Sequence, residues 1–243
     1  MKTYGLIGKS LSHSFSRKYF TEKFDNLGLA DSEYINIEIE AIEEFIEKVK
    51  ELKPKGLNVT IPYKEAIIPY LDELDEVAKE IGAVNTIVFK NGKLKGYNTD
   101  AFGFHQSIKP FFKSQHERAL ILGTGGASKA IEYVLKQYGV DVLFASRSET
   151  NANILNWNDI NENVIKQHLL IINSTPLGMY PDLSSKPEIS YSALTDKHLL
   201  VDLVYNPEET LFLKLGKENE AKGINGLTML KQQAEKSWRL WNK

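Results

Sequence analysis

The run RALILG at residues 118–123 ends in the first glycine of GTGGAS (123–128), and a helical pattern follows to about residue 138. A strand, a glycine turn and a helix start, in that order, let a pyrophosphate reach backbone N–H groups at the positive end of the helix. The match to G-x-G-x-x-G/A is incomplete, because Ser128 stands at the third small position. About 20 residues past the glycines, where enzymes that use NAD place an acid on the ribose 2′-hydroxyl, this chain reads Ala145-Ser146-Arg147-Ser148. The Arg147 guanidinium can meet a 2′-phosphate and stack on adenine, while Ser146 and Ser148 can donate to it. A plain strand-to-helix connection and an ordinary surface arginine are the alternatives. The context favours NADP(H).

Four polar clusters in the first hundred residues stand where strands are expected to end, the usual location of ligand groups in α/β sheets. Ser12-His13-Ser14-Phe15-Ser16 can hold a carboxylate at a helix N-terminus, or merely cap that helix. In Asn58-Val59-Thr60-Ile61-Pro62-Tyr63-Lys64, alternation puts Asn58 and Thr60 on one strand face, and Pro62 ends the strand. Lys64 then falls on the following turn, where a lone lysine is most often a solvated charge. Ala83-Val84-Asn85-Thr86 and Gly96-Tyr97-Asn98-Thr99-Asp100 add an amide and a carboxylate beside further strand ends.

The elements that must position these groups alternate. Strands are expected at residues 3–8, 33–39 and 56–61, with a helix over 14–28 ended by Gly28 and helical spacing over 41–50 and up to 81. Strands 86–90 and 93–97 flank Asn91-Gly92, a strong hairpin signal. Beyond residue 118, the continuous apolar runs 140–145, 168–173 and 199–204 suit parallel strands buried on both faces. The polar, Asn-rich stretch 157–166 predicts a short or irregular crossover, and 227–241 carries a helical apolar stripe. The fold class is α/β with two domains that change near residues 99–104, the tail helix packing back on the first.

Composition narrows the function. The 243 residues are 42% hydrophobic and 26% charged, ordinary for a globular chain. A formal charge of −2 lacks the basic footprint of a nucleic-acid binder. With no cysteine there is no disulfide, thiolate metal site or cysteine nucleophile. No apolar run approaches the ~20 residues of a membrane span, and no signal peptide is evident at the start. A cytoplasmic enzyme or binding protein with a small-molecule partner is expected, as monomer or homodimer.

Taken together, HSFS, NVTIPYK, AVNT and YNTD, in that order before GTGGAS, resemble the shikimate dehydrogenase family. The later blocks NSTPLGM (173–179), DLVYNP (202–207) and GLTMLKQQA (226–234) agree, so the resemblance covers nearly the whole chain. It implies reversible NADPH-dependent reduction of 3-dehydroshikimate to shikimate, in aromatic amino-acid biosynthesis. It also implies a substrate domain of residues 1–100 plus 227–243 and a Rossmann-type NADP-binding domain of residues 101–226. By resemblance, Ser14 and Ser16 bind the substrate carboxylate, and Thr60, Asn85, Tyr205 and Gln233 contact the carboxylate or ring hydroxyls. Lys64 and Asp100 are the catalytic pair. Gly123, Thr124, Gly125, Gly126 and Ala127 hold the pyrophosphate, Ser146, Arg147 and Ser148 the 2′-phosphate, and Leu203 and Gly226 the nicotinamide end.

Two departures from the family pattern stand out. Lys9-Ser10 replaces Asn-Pro in the first block, and Arg17 replaces the proline after the second serine, so an altered loop is expected there. The 2′-phosphate loop has no second arginine and gains Glu149, which predicts a weaker NADP preference. Quinate dehydrogenase, or a dual quinate/shikimate enzyme, is the nearest rival. A non-catalytic nucleotide-binding regulator is more remote, since Lys64 and Asp100 are both present. Methylene-tetrahydrofolate dehydrogenase also pairs a lysine with a dinucleotide domain, but does not explain the serines or Gln233.

Overall fold

A computed structural model describes residues 1–12, 14–148 and 150–243; His13 and Glu149 lie outside the described residues. The chain divides into two compact units, Met1–Thr99 with Gln233–Lys243, and Asp100–Gln232.

The first unit starts with β1 (Lys2–Gly8), α1 (Phe15–Asn26), β2 (Ser32–Glu38), α2 (Phe45–Leu52) and β3 (Gly56–Val59). It continues with α3 (Tyr63–Ala66), β4 (Glu73–Leu74), α4 (Glu76–Ile81), β5 (Thr86–Lys90) and β6 (Lys93–Tyr97). These strands form one sheet in the order β2-β1-β3-β5-β6-β4. β1 pairs in parallel with β2 and β3, and the hairpin β5–β6 joins β3 antiparallel. Asn91 and Gly92 turn that hairpin with φ of 54° and 77°, as a tight primed turn requires.

One sheet face packs Ile7, Ile37, Leu57, Val59 and Ile87 against Phe45 and Ile67. In another cluster, Tyr4, Phe20, Phe24 and Tyr34 meet Trp238 and Trp241 of the terminal helix, and the Trp241 Nε1–H donates to Ile87 O at 3.1 Å. Two expected helices are shorter than the periodicity predicts. The 41–50 segment starts as a 3-10 turn (Ile42–Glu44), because the Glu44 carboxylate takes the backbone N–H groups of Glu40 and Ala41, both at 2.9 Å. The stretch toward residue 81 breaks after Pro69, where Asp72 accepts the Leu94 N–H at 2.7 Å and draws β4 onto β6.

The second unit holds α5 (Asp100–Ile108), β7 (Arg118–Leu122), α6 (Gly126–Gln137), β8 (Asp141–Ser146), β9 (Ile154–Asn156), α7 (Glu162–Gln167) and β10 (Leu170–Asn173). Then come β11 (Leu199–Asp202), α8 (Leu211–Glu218), β12 (Lys222–Ile224) and α9 (Leu227–Trp241), whose residues from Gln233 onward belong to the first unit. Its sheet order is β12-β11-β10-β7-β8-β9, every pairing parallel. Strand order reverses between β7 and β10, and crevices at such reversals are where open α/β sheets bind ligands. The Asn-rich crossover is a 3-10 turn (Trp157–Asp159) and the six-residue α7, with Asn161 Oδ1 capping Asn163 and Val164.

Candidate active site

In the first unit three of the four polar clusters contribute to one buried network. Asn58, Asn85, Thr86, Thr99, Gln233 and Ser237 are all buried. Asn58 Nδ2 faces Asn85 O at 3.1 Å, Thr86 Oγ1 at 3.0 Å and Ser237 Oγ at 3.0 Å, so its two hydrogens are shared among three acceptors. Asn85 Oδ1 accepts the Thr99 N–H at 2.7 Å and the Thr99 hydroxyl at 3.1 Å. The Asn85 Nδ2 reaches Gln233 Oε1 at 3.5 Å. The network therefore joins β3, the start of β5, the end of the 97–99 segment and α9.

Lys64 stands in the first turn of α3, a four-residue helix, rather than on the open turn expected. Thr60 bends the chain into that helix: its N–H donates to Ile7 O and its carbonyl accepts the Tyr63 N–H, both at 2.9 Å. The Val84 N–H donates to the Lys64 carbonyl at 2.7 Å, fixing the lysine backbone to the 83–86 segment. Asp100, the next residue after Thr99, is buried at the start of α5 and belongs to the second unit.

Ser14 does not make the side-chain cap that is one of the two readings of the serine cluster. It occupies the N-cap position of α1 yet makes no side-chain capping bond, and its buried Oγ has no partner among the described residues. Ser16 is buried.

In the second unit, Gly123 has φ +107°, and a Cβ there would meet Ser174 Oγ at 2.9 Å and Thr175 Cγ2 at 3.0 Å. Only glycine fits that turn at the reversal of strand order. α6 opens at Gly125 with no side-chain cap, and a Cβ on Gly125 would meet nothing within 4 Å. An uncapped helix start beside open space is what a phosphate needs. Ser128, the imperfect third position, is buried with its hydroxyl turned onto Gly125 O, so it packs as a small residue. Ser146 is buried at the end of β8 and accepts the Ser148 N–H at 3.3 Å, while Arg147 is exposed. Leu203 follows β11, and the Gly226 N–H donates to Val204 O at 3.1 Å. Tyr205 is half-buried, its hydroxyl pKa raised by burial.

The sequence pattern of the shikimate dehydrogenase substrate binding domain matches residues 6–87. The shikimate dehydrogenase (NADP(+)) of Methanosphaera stadtmanae is 40% identical, the match covering 98% of this chain and 90% of the relative. The chain belongs to the shikimate dehydrogenase family. The crystal structure of the Aquifex aeolicus shikimate dehydrogenase superposes with a TM-score of 0.89 at 36% identity, covering 100% of this chain and 92% of that one. Shikimate 5-dehydrogenase from Thermus thermophilus, in complex with NADP(H) and shikimate, gives 0.86 at 30% identity, covering 99% and 93%. Shikimate dehydrogenases of this kind are NADP-dependent oxidoreductases acting on a CH–OH group.

Three residues outside the sequence-derived set organise these sites. Ser237, fully buried, lies one helical turn beyond Gln233 and donates to its carbonyl at 3.0 Å; the i, i+4 spacing was visible, the burial was not. Asp202, fully buried at the end of β11, accepts from Asn173 Nδ2 at 3.0 Å, the Val204 N–H at 3.0 Å and the Thr210 hydroxyl at 2.5 Å. A carboxylate inside the apolar run LLVDLV was the available signal for it. Asn173 completes the link, accepting from Thr175 through both N–H (3.1 Å) and hydroxyl (2.6 Å).

Proposed function

We propose that this chain catalyses the reversible NADPH-dependent reduction of 3-dehydroshikimate to shikimate in the cytoplasm. One observation supports the reading above the others: Lys64, Asn85 and Thr99, with Asp100 next in the chain, have their backbones or amide locked together by the Val84–Lys64 and Thr99–Asn85 bonds, both 2.7 Å. Such preorganisation is what proton transfer at a defined oxygen demands.

In this reading Ser14 and Ser16 bind the substrate carboxylate, the Ser14 hydroxyl, which has no partner among the described residues, being suited to donate to an anion. Thr60, Asn85, Tyr205 and Gln233 bind ring hydroxyls or the carboxylate. The Lys64 ammonium stabilises negative charge developing on the C3 oxygen and delivers a proton to it. Asp100 orients Lys64 and accepts a hydrogen bond from the reacting hydroxyl.

The glycine turn fits a dinucleotide: Gly123 to Ala127 would hold the pyrophosphate, Ser146, Arg147 and Ser148 the 2′-phosphate, and Leu203 and Gly226 the nicotinamide end. Bound NADPH supplies the hydride. With no acid at the end of β8, NADP is preferred over NAD, tempered by the missing second arginine.

The test is a four-way assay of the purified protein with shikimate or quinate and with NADP+ or NAD+. The highest kcat/KM is expected for shikimate with NADP+. A preference for quinate, or for NAD+, would overturn the substrate or the cofactor half of the proposal separately.

A further inference from the structure

The first unit carries a positioning device on β2, and its claim on function rests on the reading that Ser14 and Ser16 form the carboxylate subsite. In SEYINIE, every second residue turns to one face of the strand. Ile35 and Ile37 pack toward the sheet core. Tyr34, Asn36 and Glu38 share the opposite face, and Asn36 and Glu38 both bond to Leu11.

Glu38 Oε1 accepts the Leu11 N–H at 2.6 Å, and Asn36 Nδ2 donates to the Leu11 carbonyl at 2.9 Å. Both backbone polar groups of Leu11 are thus held by side chains of one strand. The same Leu11 carbonyl accepts the Ser14 N–H at 3.0 Å, closing the turn that presents Ser14 at the start of α1. Tyr34 turns its hydroxyl to β3 instead, donating to Asn58 Oδ1 at 2.9 Å. Below the turn, a Cβ at Gly8 would lie 2.6 Å from Leu11 Cδ2, so the Leu11 side chain sits tightly on the end of β1. The Ser14 Oγ is buried without a partner among the described residues.

No proline lies between Gly8 and Arg17, so no ring fixes φ in the chain around the two serines. We infer that Asn36 and Glu38 are positioning residues that set the geometry of the Ser14–Ser16 carboxylate subsite from the neighbouring strand. They act through Leu11, whose carbonyl holds the Ser14 N–H, rather than by touching substrate.

The experiment compares wild type, Glu38→Ala, Asn36→Ala, the double variant and Glu38→Gln by steady-state kinetics with shikimate and NADP+, with circular dichroism as a check on folding. The double variant is expected to raise the KM for shikimate about 10-fold or more, while kcat stays within about 3-fold and the KM for NADP+ is unchanged. Glu38→Gln keeps an oxygen acceptor for the Leu11 N–H and should return to near the wild-type KM. An unchanged shikimate KM in a folded double variant overturns the inference. So does an equal loss in kcat and in NADP+ affinity, or a Glu38→Gln variant as impaired as Glu38→Ala. If the single variants fold and the double does not, the additive KM shifts of the singles decide in its place. Wild type that fails to oxidise shikimate would instead sink the proposed activity, and this inference with it.

Discussion

A Cβ at Gly226 would lie 2.1 Å from the carbonyl oxygen of Leu203 and 2.7 Å from its carbonyl carbon. The two backbones are in contact, and no side chain can yield to admit a methyl group. Both residues belong to the set assigned to the nicotinamide end of the cofactor. Gly226→Ala must therefore push the start of α9 away from the 203–204 segment and break the Gly226–Val204 hydrogen bond. A loss of about 1–3 kcal/mol in stability is expected from overpacking. Cofactor affinity should fall by about 10-fold while shikimate binding is less affected, as a fluorescence titration with NADP+ would show. A variant with wild-type NADP+ affinity would remove Gly226 from the cofactor site.

Lys64→Ala tests the proton step directly. General acid catalysis is worth about 10²–10⁴-fold, so kcat should drop by at least about 10²-fold with a smaller change in KM. Asp100→Asn keeps the shape of the side chain but removes its charge, and should impair both kcat and KM. Single-turnover kinetics of hydride transfer would separate this from slow product release. Near-normal kcat in Lys64→Ala would refute its catalytic role.

The architecture was legible wherever burial imposes a period. The apolar runs at 118–123 and 199–204 are central strands buried on both faces, and such strands announce themselves. β9 and β12, three residues each at the sheet edges, leave no periodic trace. The candidate site was legible as clusters, because polar groups gather at strand ends, but its connections were not. Asn58 read as one residue on a strand face, yet it bridges to Ser237, which is 179 positions away in sequence. Hydrogen bonds that join distant elements depend on a tertiary arrangement that local pattern does not encode. The polar face of β2 shows the same limit: its alternation predicted a strand, and only the fold reveals what that face holds.

The Asn58–Ser237 link carries its own prediction. Ser237 Oγ is fully buried, meets Asn58 Nδ2 at 3.0 Å and Thr86 Oγ1 at 2.8 Å, and donates to Gln233 O at 3.0 Å. Ser237→Ala leaves buried polar partners short of one bond, which costs about 1–3 kcal/mol. Because Asn85 and Gln233 share the network, the KM for shikimate should rise a few-fold with kcat little changed. Urea unfolding measures the first effect and initial-rate kinetics the second. Unaltered stability would mean that the network is not closed through Ser237.

Asp202 gives a pH dependence with an unusual sign. Burial raises its pKa from 3.8 to about 6, although the Thr210 hydroxyl, the Val204 N–H and Asn173 all favour the charged form. Between those two values the folded protein holds a proton that the unfolded chain has released. Stability contributed by this group is therefore fully present below about pH 3.8 and is lost as pH rises through about 6, the reverse of an ordinary surface carboxylate. The size follows from roughly two pKa units at about 1.4 kcal/mol each, or about 3 kcal/mol. Asp202→Asn removes this titration while keeping the side-chain shape and an oxygen to accept the Val204 N–H. The stability of the variant relative to wild type should improve by up to about 3 kcal/mol between pH 4 and pH 7. Subtracting paired urea titrations at the two pH values cancels the other ionisable groups. A difference that is flat with pH would show that Asp202 is ionised throughout that range.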